Sequence, residues 1–118
     1  CQWAGVAALH GSNDFIQNML VEYTKRRDRL VELVEQTPHL TGYKPEGAFY
    51  LFPALPEGVN GTNVALRLLK ETGVCTIPGE TFGNSCSNAI RLSYSTSLGN
   101  IERAFERIIP WMEKQDFG

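Results

Sequence analysis

The stretch Ala89-Ile90-Arg91-Leu92-Ser93-Tyr94-Ser95 constrains the fold more than any other, because its alternation suits a sheet with one covered face. In an extended chain successive side chains point to opposite sides. Ile90, Leu92 and Tyr94 therefore share one face, and Arg91 and Ser93 share the other. A guanidinium in that position is planar, permanently charged and shaped for bidentate capture of a carboxylate. Taken alone, such an arginine is more often a solvated edge-strand residue than a ligand.

The segments around this strand alternate between helical and extended patterns. Residues 1 to about 9 read as a short helix stopped near Gly11, and Ser12-Asn13-Asp14 then offers N-cap chemistry for a long amphipathic helix. Its apolar positions, Phe15, Ile16, Met19, Leu20, Tyr23, Leu30, Leu33 and Val34, recur near the helical period, and Pro38 ends it. A strand from Gly47 to Leu55 follows between Pro45 and Pro56. It carries Phe49, Leu51 and Pro53 on one face and Tyr50 and Phe52 on the other, so both faces are expected to be covered.

A helix is predicted from about Asn63 to Glu71, with Val64, Ala65, Leu68 and Leu69 buried and Gly73 as its stop. Val74 to Ile77 reads as a short strand in which Cys75 acts as a small buried hydrophobe. Pro78-Gly79 turns the chain, and Thr81 to Asn84 reads as one helical turn. After the Arg91 strand, Thr96 or Ser97 caps a last helix with Ile101, Ala104, Phe105, Ile108 and Met112 inward, which Pro110 should kink or restart. Strands alternating with helices give an α/β fold, a small sheet packed against helices in a two-layer sandwich.

Composition removes several function classes. The 118 residues suffice for one domain with a modest core. A net charge of −2 lacks the concentrated basic excess of a nucleic-acid footprint. The basic run Lys25-Arg26-Arg27-Asp28-Arg29 is diluted by Glu22, Asp28, Glu32 and Glu35 and reads as a solvated helical face. No apolar run approaches the roughly 20 residues of a membrane span, and no signal-peptide pattern opens the chain. Cys1, Cys75 and Cys86 suggest neither a disulfide framework nor a zinc site, so a reduced, cytoplasmic compartment is the default. Cys86 has no basic sequence neighbour to activate it. His10 and His39 stand far apart, as surface or helix-end residues.

Three ordered segments, Pro45-Glu46-Gly47-Ala48-Phe49-Tyr50, Thr76-Ile77-Pro78-Gly79-Glu80-Thr81-Phe82-Gly83 and the Arg91 strand, resemble the C-terminal part of the class I/II aminotransferases, pyridoxal-phosphate enzymes of fold type I. The likeness runs through most of the chain and is nearest the aspartate and aromatic branch of bacteria and archaea. It implies that residues 1–118 are the small domain, with 1–36 including the helical connection from a large domain outside the chain. The start at Cys1, directly in a helical pattern, fits a piece of a longer polypeptide.

The resemblance further implies amino-acid and 2-oxo-acid substrates, a homodimer, and pyridoxal 5'-phosphate held mainly by the large domain. It makes Arg91 the ligand of the substrate α-carboxylate. Phe49 has two readings, a wall of the substrate site or an ordinary core aromatic. Gly47 and Gly79 are expected to serve tight turns or close backbone approach. The segment Asn84-Ser85-Cys86-Ser87-Asn88 departs from the glycine-rich link usual there, which implies altered loop mobility. None of Lys25, Lys44, Lys70 and Lys114 stands in the family's Schiff-base motif, so no catalytic residue is assigned within the chain. A non-catalytic module of the same fold, or a related lyase or synthase sharing the arginine, stays open at the level of sequence.

Overall fold

The computed structural model describes residues 1–117. Two helices come first, α1 (Gln2–His10) and α2 (Asp14–Glu35). There follow β1 (Tyr50–Leu51), α3 (Gly61–Thr72), β2 (Ile77–Pro78), two successive 3-10 turns (Gly79–Phe82 and Asn84–Cys86), β3 (Ile90–Ser93) and α4 (Leu98–Met112). The sheet has the order β1-β3-β2, with both pairings antiparallel. Tyr50 lies opposite Ser93 and Leu51 opposite Leu92; Ile77 lies opposite Arg91 and Pro78 opposite Ile90. The strand carrying the arginine is therefore central, not an edge.

Helices pack on one side of this sheet, which is the expected two-layer α/β arrangement. The core joins Leu30, Leu33 and Val34 of α2, Val64, Ala65 and Leu68 of α3, and Ile101, Phe105 and Ile108 of α4 to Leu51, Ile90, Leu92 and Tyr94 of the strands. Burying each large aliphatic side chain contributes about 1.5–3 kcal/mol. Local chemistry fixes the helix ends. Asn60 and Ser97 accept hydrogen bonds from the amides of Asn63 and Asn100, and Gly73 ends α3 in the left-handed region at φ 74°. Ser97, of the two candidate caps, is the one used.

Several sequence expectations need correction. The ladder of the Gly47–Leu55 segment shrinks to β1 plus two isolated bridges, which tie Ala54 to Thr41 and to Ala89. Only the face carrying Leu51 and Pro53 is covered; Phe52, at 39 % exposure, stands open on the other. β2 begins at Ile77, so Val74 to Thr76 make no ladder, and Cys75 is exposed instead of buried. Leu69 is also exposed, being on the outer flank of the α3 stripe. Gly79 is tightly enclosed by the carbonyls of Cys86 and Ala89, whereas nothing crowds Gly47. α4 continues through Pro110 to Met112, because the lost backbone bond falls in the last turn and on an exposed flank.

The largest departure is in α2. Its C-terminal third is buried through Leu30, Leu33 and Val34, but Phe15, Ile16, Met19, Leu20 and Val21 are exposed. Trp3 and Leu9 of α1 are each 86 % exposed. The overhang stretches the molecule to 55 × 29 × 24 Å with a radius of gyration of 16.7 Å, against about 13.5 Å for a compact domain of this length. The periodicity of this segment specifies a helix, but it does not reveal what the apolar face meets. No helix among the described residues is long and apolar enough to cross a membrane.

Candidate functional site

The alternation of β3 does what its sequence implies. Ile90, Leu92 and Tyr94 are at most 7 % exposed and enter the core. Tyr94 also donates its hydroxyl proton to the Ala48 carbonyl at 3.1 Å, and burial pushes its phenol up from the ordinary value. Ser93, on the opposite face, bonds Ser95 at 2.8 Å. Arg91 shares that uncovered face and is half-buried there.

Two rings meet its guanidinium. Antiparallel register puts Tyr50 directly across from Ser93 and so on the Arg91 face, with its ring centroid 4.3 Å from the guanidinium carbon. Phe82, at the end of the first 3-10 turn, lies 4.7 Å away. Both distances are well inside the range of cation–π attraction. The turn carrying Phe82 is fixed by the Gly79 amide bonding to the Ala89 carbonyl at 2.8 Å. The Thr62 hydroxyl, bonding to the Glu80 carboxylate at 3.0 Å, ties the turn to α3. Phe52 then packs edge-on against Phe82 at 5.3 Å.

The rings seat a guanidinium that is not neutralised by a neighbouring carboxylate among the described residues. Its Nε is buried without a hydrogen-bond partner. Among the described residues no carboxylate forms an ion pair with it. By contrast Arg27 pairs with Asp28, Arg29 with Glu32 and Glu102, and Arg67 with Glu71. A half-desolvated guanidinium without an anion is a receptor for one, since a charge-assisted hydrogen bond contributes about 1.5–3 kcal/mol.

Phe49 sits beside this group. Its ring is 6.2 Å from Tyr23 of α2 and 4.4 Å from Tyr50, and the side chain is 38 % exposed. Tyr50 thus touches both Phe49 and Arg91. Tyr50 and Phe82 were given no site role on sequence. For Tyr50 the signal was available, because alternation placed it opposite Leu51. For Phe82 it was not, since turn geometry decides where that ring goes.

The four lysines all stand in solvent. Lys25 pairs with Glu22 at 3.0 Å and Lys44 with Asp28 at 2.8 Å, with side chains 63 % and 53 % exposed. Lys70 and Lys114 are exposed too.

No family model matches the chain. Individual proteins do. A probable aspartate aminotransferase of Methanocaldococcus jannaschii is 37 % identical over 87 % of this chain and 27 % of its own length. The aspartate aminotransferase of Geobacillus stearothermophilus is 36 % identical over 95 % of this chain and 30 % of its own. Among solved structures, the aromatic aminotransferase of Pyrococcus horikoshii superposes with a TM-score of 0.90 at 30 % identity, covering 96 % of this chain and 31 % of that one. The alanine aminotransferase of Pyrococcus furiosus gives 0.92 at 27 % identity, covering 97 % and 30 %. The chain therefore spans about three-tenths of the length of the relatives it matches. In sequence and in fold the chain is thus similar to one part of these aminotransferases.

Proposed function

We propose that this chain is the substrate-gripping part of an enzyme that moves an amino group between an α-amino acid and a 2-oxo acid with pyridoxal phosphate. Arg91 binds the α-carboxylate common to both substrates. The single observation that carries this reading is a half-buried guanidinium, seated by two rings and lacking an anionic partner. Holding the carboxylate there orients the rest of the substrate, and fixed orientation accounts for a large share of rate enhancement in such reactions. Phe49, reaching the arginine through Tyr50, lines the same site.

The cofactor and its lysine belong to polypeptide outside residues 1–118, and residues 1–36 include the connection to that large domain. The overhanging apolar side chains of α1 and α2 support this division, because they have no cover within the chain. A homodimer in the cytoplasm is the expected setting, the free cysteines being in keeping with a reducing compartment.

The deciding experiment is Arg91→Ala in the full polypeptide. We expect kcat/KM to fall roughly a hundredfold for every amino-acid substrate, equivalent to about 3 kcal/mol. Unchanged turnover would remove Arg91 from the site. Separately, titrating the isolated chain with pyridoxal phosphate should give no specific, saturable absorbance change. A stoichiometric signal discharged by amino acids would overturn the assignment of the lysine to another part of the protein.

A further inference from the structure

We infer that Tyr50 and Phe82 are positioning residues that make Arg91 selective for a flat anion, so that the site discriminates carboxylates from tetrahedral phosphonates. The inference depends on the reading of Arg91 as the α-carboxylate ligand and adds to it the shape of the group accepted.

The geometry begins with how the cation is enclosed. The Tyr50 and Phe82 ring centroids stand 4.3 and 4.7 Å from the guanidinium carbon. The two rings do not pair with one another among the ring contacts of the described residues. Tyr50 packs on Phe49, and Phe82 on Phe52. Each ring that meets the cation is backed by a further ring. Nε is enclosed and has no partner, so an incoming anion cannot use the side of the fork that contains it. The terminal Nη1 and Nη2 atoms remain, approached in the plane of the guanidinium. A carboxylate has two oxygens in one plane and matches that approach with two parallel hydrogen bonds. A phosphonate carries a third oxygen out of that plane, which would press its charge against the aromatic surface. Ring faces are electron-rich, so they repel that oxygen while attracting the cation.

The rings are also held independently of any ligand. Tyr50 is fixed by the β1–β3 register, and Phe82 by the turn anchored through Gly79 and Glu80. Their effect should appear in binding selectivity, since both shape the ligand's seat and neither is placed to exchange a proton with it.

The test uses the full polypeptide loaded with cofactor and an amino-acid substrate paired with its aminophosphonate analogue as inhibitor. The ratio of phosphonate Ki to carboxylate KM is the readout. We expect Tyr50→Leu and Phe82→Leu each to lower this ratio roughly fivefold, mainly through a lower phosphonate Ki with little change in kcat. Tyr50→Phe and Phe82→Tyr, which keep the rings, should recover most of it. In an Arg91→Ala background the ring substitutions should have no further effect on the ratio, because there is no cation left to position.

Thermal unfolding read on the same samples separates selectivity from loss of fold. Phe82 is 49 % exposed, so its leucine variant is not expected to disturb the core. If Arg91→Ala weakens carboxylate binding but both leucine variants keep the wild-type ratio, the clamp is wrong and the arginine assignment stands. If Arg91→Ala changes nothing, the arginine assignment itself fails.

Discussion

The two faces of β3 differ in what their side chains do. Toward the helices, Ile90, Leu92 and Tyr94 vanish into a continuous core, where the Tyr94 hydroxyl finds the Ala48 carbonyl. On the other side Arg91 keeps an unpartnered Nε and two aromatic contacts, with Phe52 and Phe82 still partly in solvent. A charged group held half out of water without an anion stands apart from the apolar packing of the other face. The contrast implies that stability and recognition are carried by alternate residues of the same four-residue strand.

That separation can be broken by experiment. Ile90→Ala, at a fully buried position, should cost about 3–4 kcal/mol in denaturant unfolding. Arg91→Ala should instead cost only about 1 kcal/mol of unfolding free energy, from its ring contacts, while weakening carboxylate binding roughly a hundredfold. If the arginine variant unfolds as readily as the isoleucine one, the two faces are not functionally distinct.

A smaller effect concerns the seam between α3 and α4. The Trp111 indole donates to the Glu71 carboxylate at 2.7 Å, and Arg67 both pairs with Glu71 and lies 5.0 Å over the indole ring. The indole hydrogen bond first, and Arg67 second, hold the Glu71 carboxyl below its ordinary value. A depressed folded-state pKa stabilises the protein above the unfolded value and loses that contribution as pH falls through the folded one. Trp111→Phe should therefore flatten the acid side of the stability profile, measured as the urea midpoint from pH 7 to pH 3. An unchanged slope would show that this seam contributes nothing to the pH dependence.

The smallest expected change is at Ala48, which holds φ at 59°. An alanine in the left-handed region costs about 1–2 kcal/mol, while a glycine there loses about 0.5–1 kcal/mol through the unfolded chain. Ala48→Gly should be neutral to about 1 kcal/mol stabilising. A clear destabilisation would mean that the alanine methyl contributes packing beside the Tyr94 hydroxyl.

How much of this could be read from the chain depended on how local each cause was. The caps at Asn60 and Ser97, the left-handed stop at Gly73 and the alternation of β3 all follow from backbone chemistry within a few residues, and the structure agrees with the readings of Ser97, Gly73 and β3. Cys75 was read as buried because it lies among apolar neighbours, yet β2 starts only at Ile77 and leaves that residue open. The α2 stripe was read as one face, but packing covers only its C-terminal third. Trp111 escaped notice because its burial depends on Glu71 and Arg67 from another helix.

Side-chain period and capping groups, both local to the chain, set most of the element types and the apolar side of β3. Tertiary structure alone decided that Phe82 and Tyr50 both come to rest on Arg91. Strand register and the path of a 3-10 turn set that meeting, and they depend on contacts between residues far apart in the chain.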